Sequence, residues 1–72
     1  MKVTKGQHLH VKHVRKGEFN AVAFRDFDTD KEEWYPLLVA TGHVHGISRV
    51  TIWDSGEEIP CRKSLCTVEV DP

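Results

Sequence analysis

Five histidines are the residues of this 72-residue chain with the most evident capacity for chemistry. The His-x-His pattern occurs twice, and residues two apart on a β-strand point from the same face. If the two segments pair, four imidazoles converge, and imidazole nitrogens bind zinc at about 2.0–2.1 Å. The spacing therefore indicates a candidate metal site; solvent-facing strand histidines are the favoured interpretation, and pH sensing or ligand contact is a further alternative. The metal ligands would be His8, His10, His43 and His45.

The two cysteines, Cys61 and Cys66, are separated by four residues. This spacing differs from the shorter Cys-x-x-Cys pattern of zinc ribbons and redox motifs. Free cysteine commonly acts as a small buried hydrophobic residue. We expect that role here, with a disulfide between the two as the alternative.

The sequence carries none of the common catalytic fingerprints. Its serines lie outside a Gly-x-Ser-x-Gly elbow, and it has neither a phosphate-binding glycine loop nor a dinucleotide-binding fingerprint. The acids between residues 26 and 33 lack the glycine and the distal glutamate of a calcium loop. We therefore expect no catalytic residues and no cofactor.

Basic residues gather in the first quarter of the chain, although the net charge is only −1. Such residues can follow phosphates while aromatic side chains stack on bases. Against this, the isoelectric point is about 6.5, whereas nucleic-acid-binding domains usually exceed about 9. The candidate nucleic-acid-binding residues are Lys2, Lys5, Lys12, Arg15 and Lys16.

An acidic segment, residues 26–33, precedes a pair of aromatic residues. An acidic loop can dock on a basic surface, and an exposed edge strand can extend a partner's sheet. The candidate protein-binding residues are Trp34, Tyr35, Asp28 and Asp30. For the tryptophans, core packing is the favoured alternative, and self-association through Trp34 or Trp53 is another.

Short apolar runs separated by turn residues are typical of a small all-β domain. They cover residues 8–14, 19–27, 34–40, 49–53, 58–62 and 66–70. In the second run, Phe19, Ala21 and Ala23 share a face, whose small residues indicate close packing. Gly17 suits a turn with positive φ. We expect a 3₁₀ turn at residues 63–65 and a last strand with Val68 and Val70 inward.

This layout resembles an SH3-like barrel of the Tudor/KOW kind. The resemblance lies in an opening strand after Gly6-Gln7, a long acidic loop, a hairpin across residues 54–57, and a tail at residues 61–65 before the final strand. It implies one domain over residues 1–72, a closed barrel of five or six short strands with one 3₁₀ turn. The Ala-Leu-Tyr-Asp-Tyr stretch of SH3 domains and a methyl-lysine-type aromatic cage are missing, so the ligands of those families do not carry over.

These observations predict a non-catalytic binding module. A protein partner is favoured, nucleic acid and metal binding are the alternatives, and a homo-oligomer is a further one. The N-terminal residues form no apolar signal region, and no apolar run reaches the ~20 residues that span a bilayer. We therefore expect a cytoplasmic protein that does not bind membranes. Its size also suggests a phage- or plasmid-type accessory protein.

Overall fold

The computed structural model describes residues 1–40, 44–45 and 52–70, with side chains for residues 1–40 and 54–70. This part of the chain forms ten short strands and one 3₁₀ turn (Lys63–Leu65). The strands are β1 (Lys2–Val3), β2 (His8–His13), β3 (Gly17–Ala23), β4 (Phe27–Asp28), β5 (Trp34–Tyr35), β6 (Leu37–Val39), β7 (Val44–His45), β8 (Ile52–Trp53), β9 (Cys61–Arg62) and β10 (Cys66–Val70).

A four-stranded antiparallel sheet, in the order β10-β2-β3-β6, forms the framework of the molecule. Its centre is the β2–β3 hairpin, in which Val11 pairs with Phe19. The chain reverses just before Gly17, whose φ of 78° confirms the predicted turn. An L-residue adopts this conformation only at a cost, because its Cβ approaches the backbone. A single glycine in the sequence therefore identifies where the hairpin turns.

The inner face of this sheet is apolar and tightly packed, as the period-two pattern predicts. Leu9 and Ala21 pair across the hairpin, and Ala21 also pairs with Val39 of β6. All three side chains are buried. The small methyl group of Ala21 leaves room for its larger neighbours and the segment that covers them. The prediction of close packing on this face is confirmed.

The other described strands form three two-stranded sheets: β1 with β4, β5 with β9, and β7 with β8. Pro36 divides the run at residues 34–40 into β5 and β6, because proline has no N–H to donate to a ladder. The segment after the turn at residues 54–57 lies along β6, where the Ile59 N–H donates to the Leu37 carbonyl over 3.1 Å. The core comprises Val3, Leu9, Val11, Phe19, Ala21, Ala23, Phe27, Tyr35, Leu37, Val39, Ile59 and Cys61.

The all-β class is confirmed, and the 3₁₀ turn lies at the predicted residues. The described strands do not close into a barrel, and they are shorter and more numerous than the five or six expected. The predicted hairpin across residues 54–57 is wrong, because β8 pairs with β7 and Glu58 bridges to Leu38. The described residues contain no helix that could span a membrane.

The last strand departs from its predicted burial at one end. Val68 is half-buried against the core, as expected, but Val70 is 43% exposed. Val70 pairs with Leu9 near the start of β2, at the margin of the sheet. The alternation along β10 directs the Val70 side chain to the inner face of the sheet, but less of the core covers the sheet at this margin.

Candidate interaction surface

Trp34 lies at the molecular surface, with 53% of the residue exposed. It pairs with Arg62 in the β5–β9 sheet, and the Arg62 Cζ lies 5.9 Å from the centroid of the indole ring. A guanidinium within about 6 Å of a tryptophan ring is attracted by the ring's negative face. The expectation that Trp34 packs in the core is therefore wrong. Successive residues of a strand point to opposite faces, and Tyr35 takes the inward one.

Arg62 and the 3₁₀ turn after it are held against the loop before Trp34. Arg62 Nη2 lies 2.6 Å from Glu33 Oε1, and the Lys63 N–H donates to the Glu33 carbonyl over 2.8 Å. Lys63 Nζ also donates to the Asp30 carbonyl over 2.7 Å. The Arg62–Glu33 pair is largely exposed, so it contributes little to stability. Its consequence is geometric, because it fixes the guanidinium beside Trp34.

A groove of about 380 Å³ lies beside this arrangement. Its lining residues are Lys31, Glu32, Glu33, Arg62, Lys63 and Ser64. We call the combination of Lys31, Glu33, Trp34, Arg62 and Lys63 the Trp34–Arg62 surface. It comes from two segments that are distant in sequence.

The β2–β3 turn adds positive charge at the same end of the molecule. The Val14 N–H donates to the Leu65 carbonyl over 3.0 Å, which places this turn against the 3₁₀ turn. Glu33 is engaged by Arg62, and Glu32 by Arg25 over 3.2 Å. The basic residues brought to this end are Arg15, Lys16, Arg62 and Lys63, whereas Lys31 lies between this groove and a second one lined by Lys2 and Asp26. Sequence reasoning missed this grouping, since the four residues come from two separate segments.

The five basic residues proposed to bind nucleic acid do not share one surface. Lys2 pairs with Asp28 in the β1–β4 sheet, and the Lys5 N–H donates to Asp26 Oδ1 over 2.7 Å. Lys12 lies on the outer face of β2, across from Glu18. Arg15 and Lys16 lie in the β2–β3 turn, at the opposite end of the hairpin from Lys5. A six-residue strand separates them by roughly 17 Å or more, at about 3.3 Å per residue.

Three of the four proposed protein-binding residues, Asp28, Asp30 and Tyr35, have partners within the fold away from Trp34. The Asp30 N–H donates to Asp28 Oδ1 over 2.9 Å, and the Met1 ammonium lies 3.3 Å from the same oxygen. The backbone hydrogen bond first, and then the ammonium, hold the pKa of Asp28 below its usual value. Tyr35 is buried and donates its hydroxyl to the Thr29 carbonyl over 3.0 Å. Asp30 keeps an exposed carboxylate 3.0 Å from the Met1 ammonium.

The histidines predicted to hold a metal are not brought together by strand pairing. β2 lies between β10 and β3, so neither edge of β2 is open to β7, which pairs with β8. His10 Nδ1 lies 3.2 Å from Asn20 Oδ1, and His10 Nε2 lies 3.1 Å from Glu18 Oε1. His8 is exposed, the side chain of His45 is not described, and His43 lies outside the described residues. Among the described side chains no group of three metal-binding residues occurs; the metal site stays a prediction.

His13 is the histidine that the sequence analysis overlooked. It is 5% exposed, and its Nδ1 accepts hydrogen bonds from the N–H groups of Arg15 (3.0 Å) and Lys16 (3.2 Å). Burial, and then the charges of Lys16 and Arg15, lower its pKa. Because Nδ1 accepts both hydrogen bonds, the neutral form of this ring carries its proton on Nε2. The sequence contained a signal for its burial, because His13 follows Leu9 and Val11 at two-residue intervals and so lies on the same face of the strand.

The cysteines are both free thiols. Cys61 is fully buried in the core, which confirms the predicted role as a small hydrophobic residue. Cys66 is half-buried and packs against the same core. They flank the 3₁₀ turn that carries part of the Trp34–Arg62 surface.

Comparisons with known proteins provide no relative: no protein-family model, curated protein or solved structure matches this chain. The resemblance to SH3-like barrels therefore stays a prediction. The function must be argued from the residues themselves.

Proposed function

We propose that this chain is a non-catalytic protein-interaction module that binds its partner through the Trp34–Arg62 surface. The observation that carries the proposal is the exposure of Trp34 beside a guanidinium that is itself held in place. Tryptophan and arginine are the residues most enriched among those that dominate binding energy at protein interfaces. About half of this large aromatic side chain is in contact with water, so its burial by a partner would also stabilise the complex.

The size of this contribution follows from the exposed area. A buried tryptophan removes about 150–250 Å² from water, so covering the exposed half of Trp34 would remove roughly 100 Å². At about 25 cal/mol per Å², this stabilises a complex by about 2–3 kcal/mol. That range is typical of a residue whose truncation strongly weakens an interface.

The surface is also pre-ordered, which reduces the entropy cost of binding. β5 is anchored through the buried Tyr35 and its hydroxyl bond to Thr29. Arg62 is held by Glu33, and Lys63 by the Asp30 carbonyl. Long side chains usually lose about 0.5–1.5 kcal/mol each when an interface orders them. Here part of that ordering precedes binding.

Binding of single-stranded nucleic acid is the second candidate, favoured by the basic residues at this end of the molecule. Bases stack on exposed aromatic rings, and lysines and arginines follow the phosphates. In this arrangement Trp34 would take the stacking role, while Lys16 and Lys63 would contact phosphates. This candidate keeps Lys16 from the five residues predicted from the sequence and adds Lys63 and Trp34.

The SH3-like barrel and the cytoplasmic location belong to the same proposal. The 3₁₀ turn directly before the last strand supports the resemblance, since such barrels commonly place one there. With this fold and location, the chain would be a small cytoplasmic domain that binds another protein.

Partner capture with matched variants tests the proposal. The wild type, Trp34→Ala and Phe24→Ala are immobilised and exposed to lysate of the native host, and each captured protein is then purified for measurement of Kd. Phe24 is a suitable control because it is an exposed aromatic residue outside the groove. We expect Trp34→Ala to weaken binding by about 30-fold or more, which corresponds to about 2 kcal/mol. A partner that binds Trp34→Ala as tightly as the wild type would refute the proposal, provided that circular dichroism shows both variants folded.

Fluorescence titration with single-stranded oligonucleotides tests the second candidate. If it is correct, log K falls linearly with log salt concentration, and Lys16→Gln and Lys63→Gln each reduce the slope by about 1. Lys5→Gln is the matched control, because Lys5 lies at the opposite end of the β2–β3 hairpin from Lys16 and lines neither groove. Absence of binding at low salt removes nucleic acid as a partner.

A further inference from the structure

The last strand, β10, lies at one end of the four-stranded sheet. Among the described strands it pairs with β2 alone. At the other end of the sheet β6 is covered, because the Val39 N–H donates to the Glu57 carbonyl over 2.8 Å. Within the described residues, no backbone hydrogen bond joins another segment to the far side of β10. In this part of the chain the sheet therefore has one open edge.

The pairing of β10 with β2 shows which backbone groups point to this edge. The Val14 N–H donates to the Leu65 carbonyl over 3.0 Å, directly before β10 begins. In an antiparallel ladder every second residue pair exchanges hydrogen bonds, so Thr67 and Glu69 bond to β2. The N–H and C=O groups of the alternate residues point away from β2. We call these residues the β10 edge: Cys66, Val68 and Val70.

The side chains of the β10 edge are apolar and incompletely covered. Cys66 and Val68 are half-buried against the core, and Val70 is 43% exposed. Native proteins commonly keep edge strands from pairing with lysine, proline or a bulge. β10 contains no lysine or proline, and its register with β2 is continuous. A further strand on this side would bury more of Val68 and Val70 and would satisfy the backbone groups that face outward.

We propose that a second copy of this chain binds the β10 edge, so that the two β10 strands pair antiparallel about a two-fold axis at Val68. The two four-stranded sheets then form one continuous sheet. Because both open edges are used and β6 is covered, the assembly closes at two copies. The dimer does not rest on the proposed function, since no residue of the Trp34–Arg62 surface belongs to β10.

The sequence of β10 is complementary to itself in this register. Val68 lies opposite Val68 of the second copy, and Cys66 lies opposite Val70. The edge groups thus form three pairs, and each pair exchanges two hydrogen bonds. On the outer face, Glu69 of each copy lies opposite Thr67 of the other, so the only charge of the strand meets a neutral hydroxyl.

Neighbouring registers are less favourable. An axis at Glu69 places two carboxylates directly opposite each other, and like charges in that position are destabilising. An axis at Thr67 places Val70 opposite the 3₁₀ turn, where no strand is available to pair with it. Charge and strand length therefore both select the axis at Val68.

Sedimentation equilibrium of the full chain measures the association, with a reductant present to keep the thiols free. Two five-residue strands form a smaller interface than the roughly 1,200 Å² of a stable complex, so we expect a Kd of roughly 0.1–1 mM. A concentration series from about 0.01 to 2 mM covers this range. We expect monomer and dimer without larger species. A chain that remains monomeric throughout, or that forms larger assemblies, would overturn the proposal.

Amide hydrogen exchange identifies the interface. The Val68 N–H points away from β2 in the monomer and is hydrogen-bonded in the dimer, so its exchange should slow as the protein concentration rises. The Thr67 N–H bonds to β2 in both states, and its exchange should change less. A dimer that leaves the exchange of Val68 unchanged would use another surface and would refute the β10 edge.

Charge substitutions on the outer face test the register. Thr67→Asp places a carboxylate opposite Glu69 at two symmetric positions, and should raise the Kd at least about threefold. Asn20→Asp is the matched control, because it makes the same charge change on β3, two strands from the edge; its Kd should stay within about twofold of the wild type. Addition of Glu69→Lys to Thr67→Asp should restore the dimer. Equal Kd values for Thr67→Asp and Asn20→Asp would contradict the register.

Val68→Pro removes the N–H at the centre of the edge and keeps those that bond to β2. Proline is tolerated where a strand's N–H faces solvent, and the loss of both central hydrogen bonds should raise the Kd at least about 10-fold. If circular dichroism shows that this variant does not fold, Thr67→Asp provides the test. Trp34→Ala should dimerise like the wild type, and loss of its dimer would overturn the β10 edge. Failure of partner capture would refute the proposed function and leave the dimer unaffected.

Discussion

Replacement of His13 tests how the β2–β3 turn is held together. In His13→Leu, the N–H groups of Arg15 and Lys16 lose the acceptor that lies 3.0 and 3.2 Å away. A hydrogen bond contributes about 0.5–1.5 kcal/mol net, so two should contribute roughly 1–3 kcal/mol. A 72-residue domain has roughly 4–10 kcal/mol in total. The loss is therefore a large fraction of the free energy of unfolding. It should lower Tm by about 4–8 °C for each kcal/mol lost.

His13→Asn separates the acceptor from the titration. An asparagine oxygen can accept from the N–H two residues further along in an Asx-turn, so this variant should keep more stability than His13→Leu. Urea unfolding at a fixed pH above the usual histidine range gives the comparison. Equal midpoints for His13→Leu and the wild type would refute the account of the turn.

The same residue should make the domain sensitive to mild acid. The pKa of His13 is lower in the folded chain than its ordinary value near 6.5, so the unfolded chain binds the proton first. The stability from this group is fully present above pH 6.5, and declines as the pH falls below that value towards the folded pKa. We expect wild type and His8→Asn to lose stability over this window, and His13→Asn to lose less. Identical pH dependence in wild type and His13→Asn would refute the reasoning.

Three further substitutions address the core, the turn and the surface. Leu37→Ala removes a fully buried side chain, and should cost about 2–5 kcal/mol in urea unfolding; a cost below about 1 kcal/mol would contradict its place in the core. Gly17→Ala places a Cβ at a φ of 78°, and should cost roughly 1–2 kcal/mol, whereas Asn at this position should cost less; equal stability of all three chains would argue against the turn. Glu33→Gln breaks the exposed pair with Arg62, and should lower stability by less than about 1 kcal/mol while it weakens partner binding; an unchanged Kd would show that the held guanidinium is not needed.

Several features of the fold were predictable because their causes are local. The alternation of Leu9 and Val11 sets the buried face of β2, since side chains of a strand alternate between its two faces. Gly17 predicts the turn, because glycine adopts a positive φ without steric cost. The 3₁₀ turn before the last strand was likewise correctly predicted. Each of these inferences depends on neighbouring residues in the chain.

The candidate site was only partly predictable. Trp34 is named from the sequence as a binding residue, but an aromatic residue at the start of a strand is equally compatible with the core. Its exposure follows from the inward phase of Tyr35 and from the pairing of β5 with β9. The basic residues near it come from segments that are far apart in sequence, and their grouping depends on the bonds Val14–Leu65 and Lys63–Glu33.

By itself, the sequence determined a small all-β chain with a turn at Gly17, a 3₁₀ turn at residues 63–65 and an apolar face on β2 and β3. The tertiary structure decided which strands pair, and hence that Trp34 faces water beside Arg62 and that His13 is enclosed. The physical reason is range. Backbone conformation responds to adjacent residues, whereas exposure and charge clustering depend on which distant segments the fold brings together.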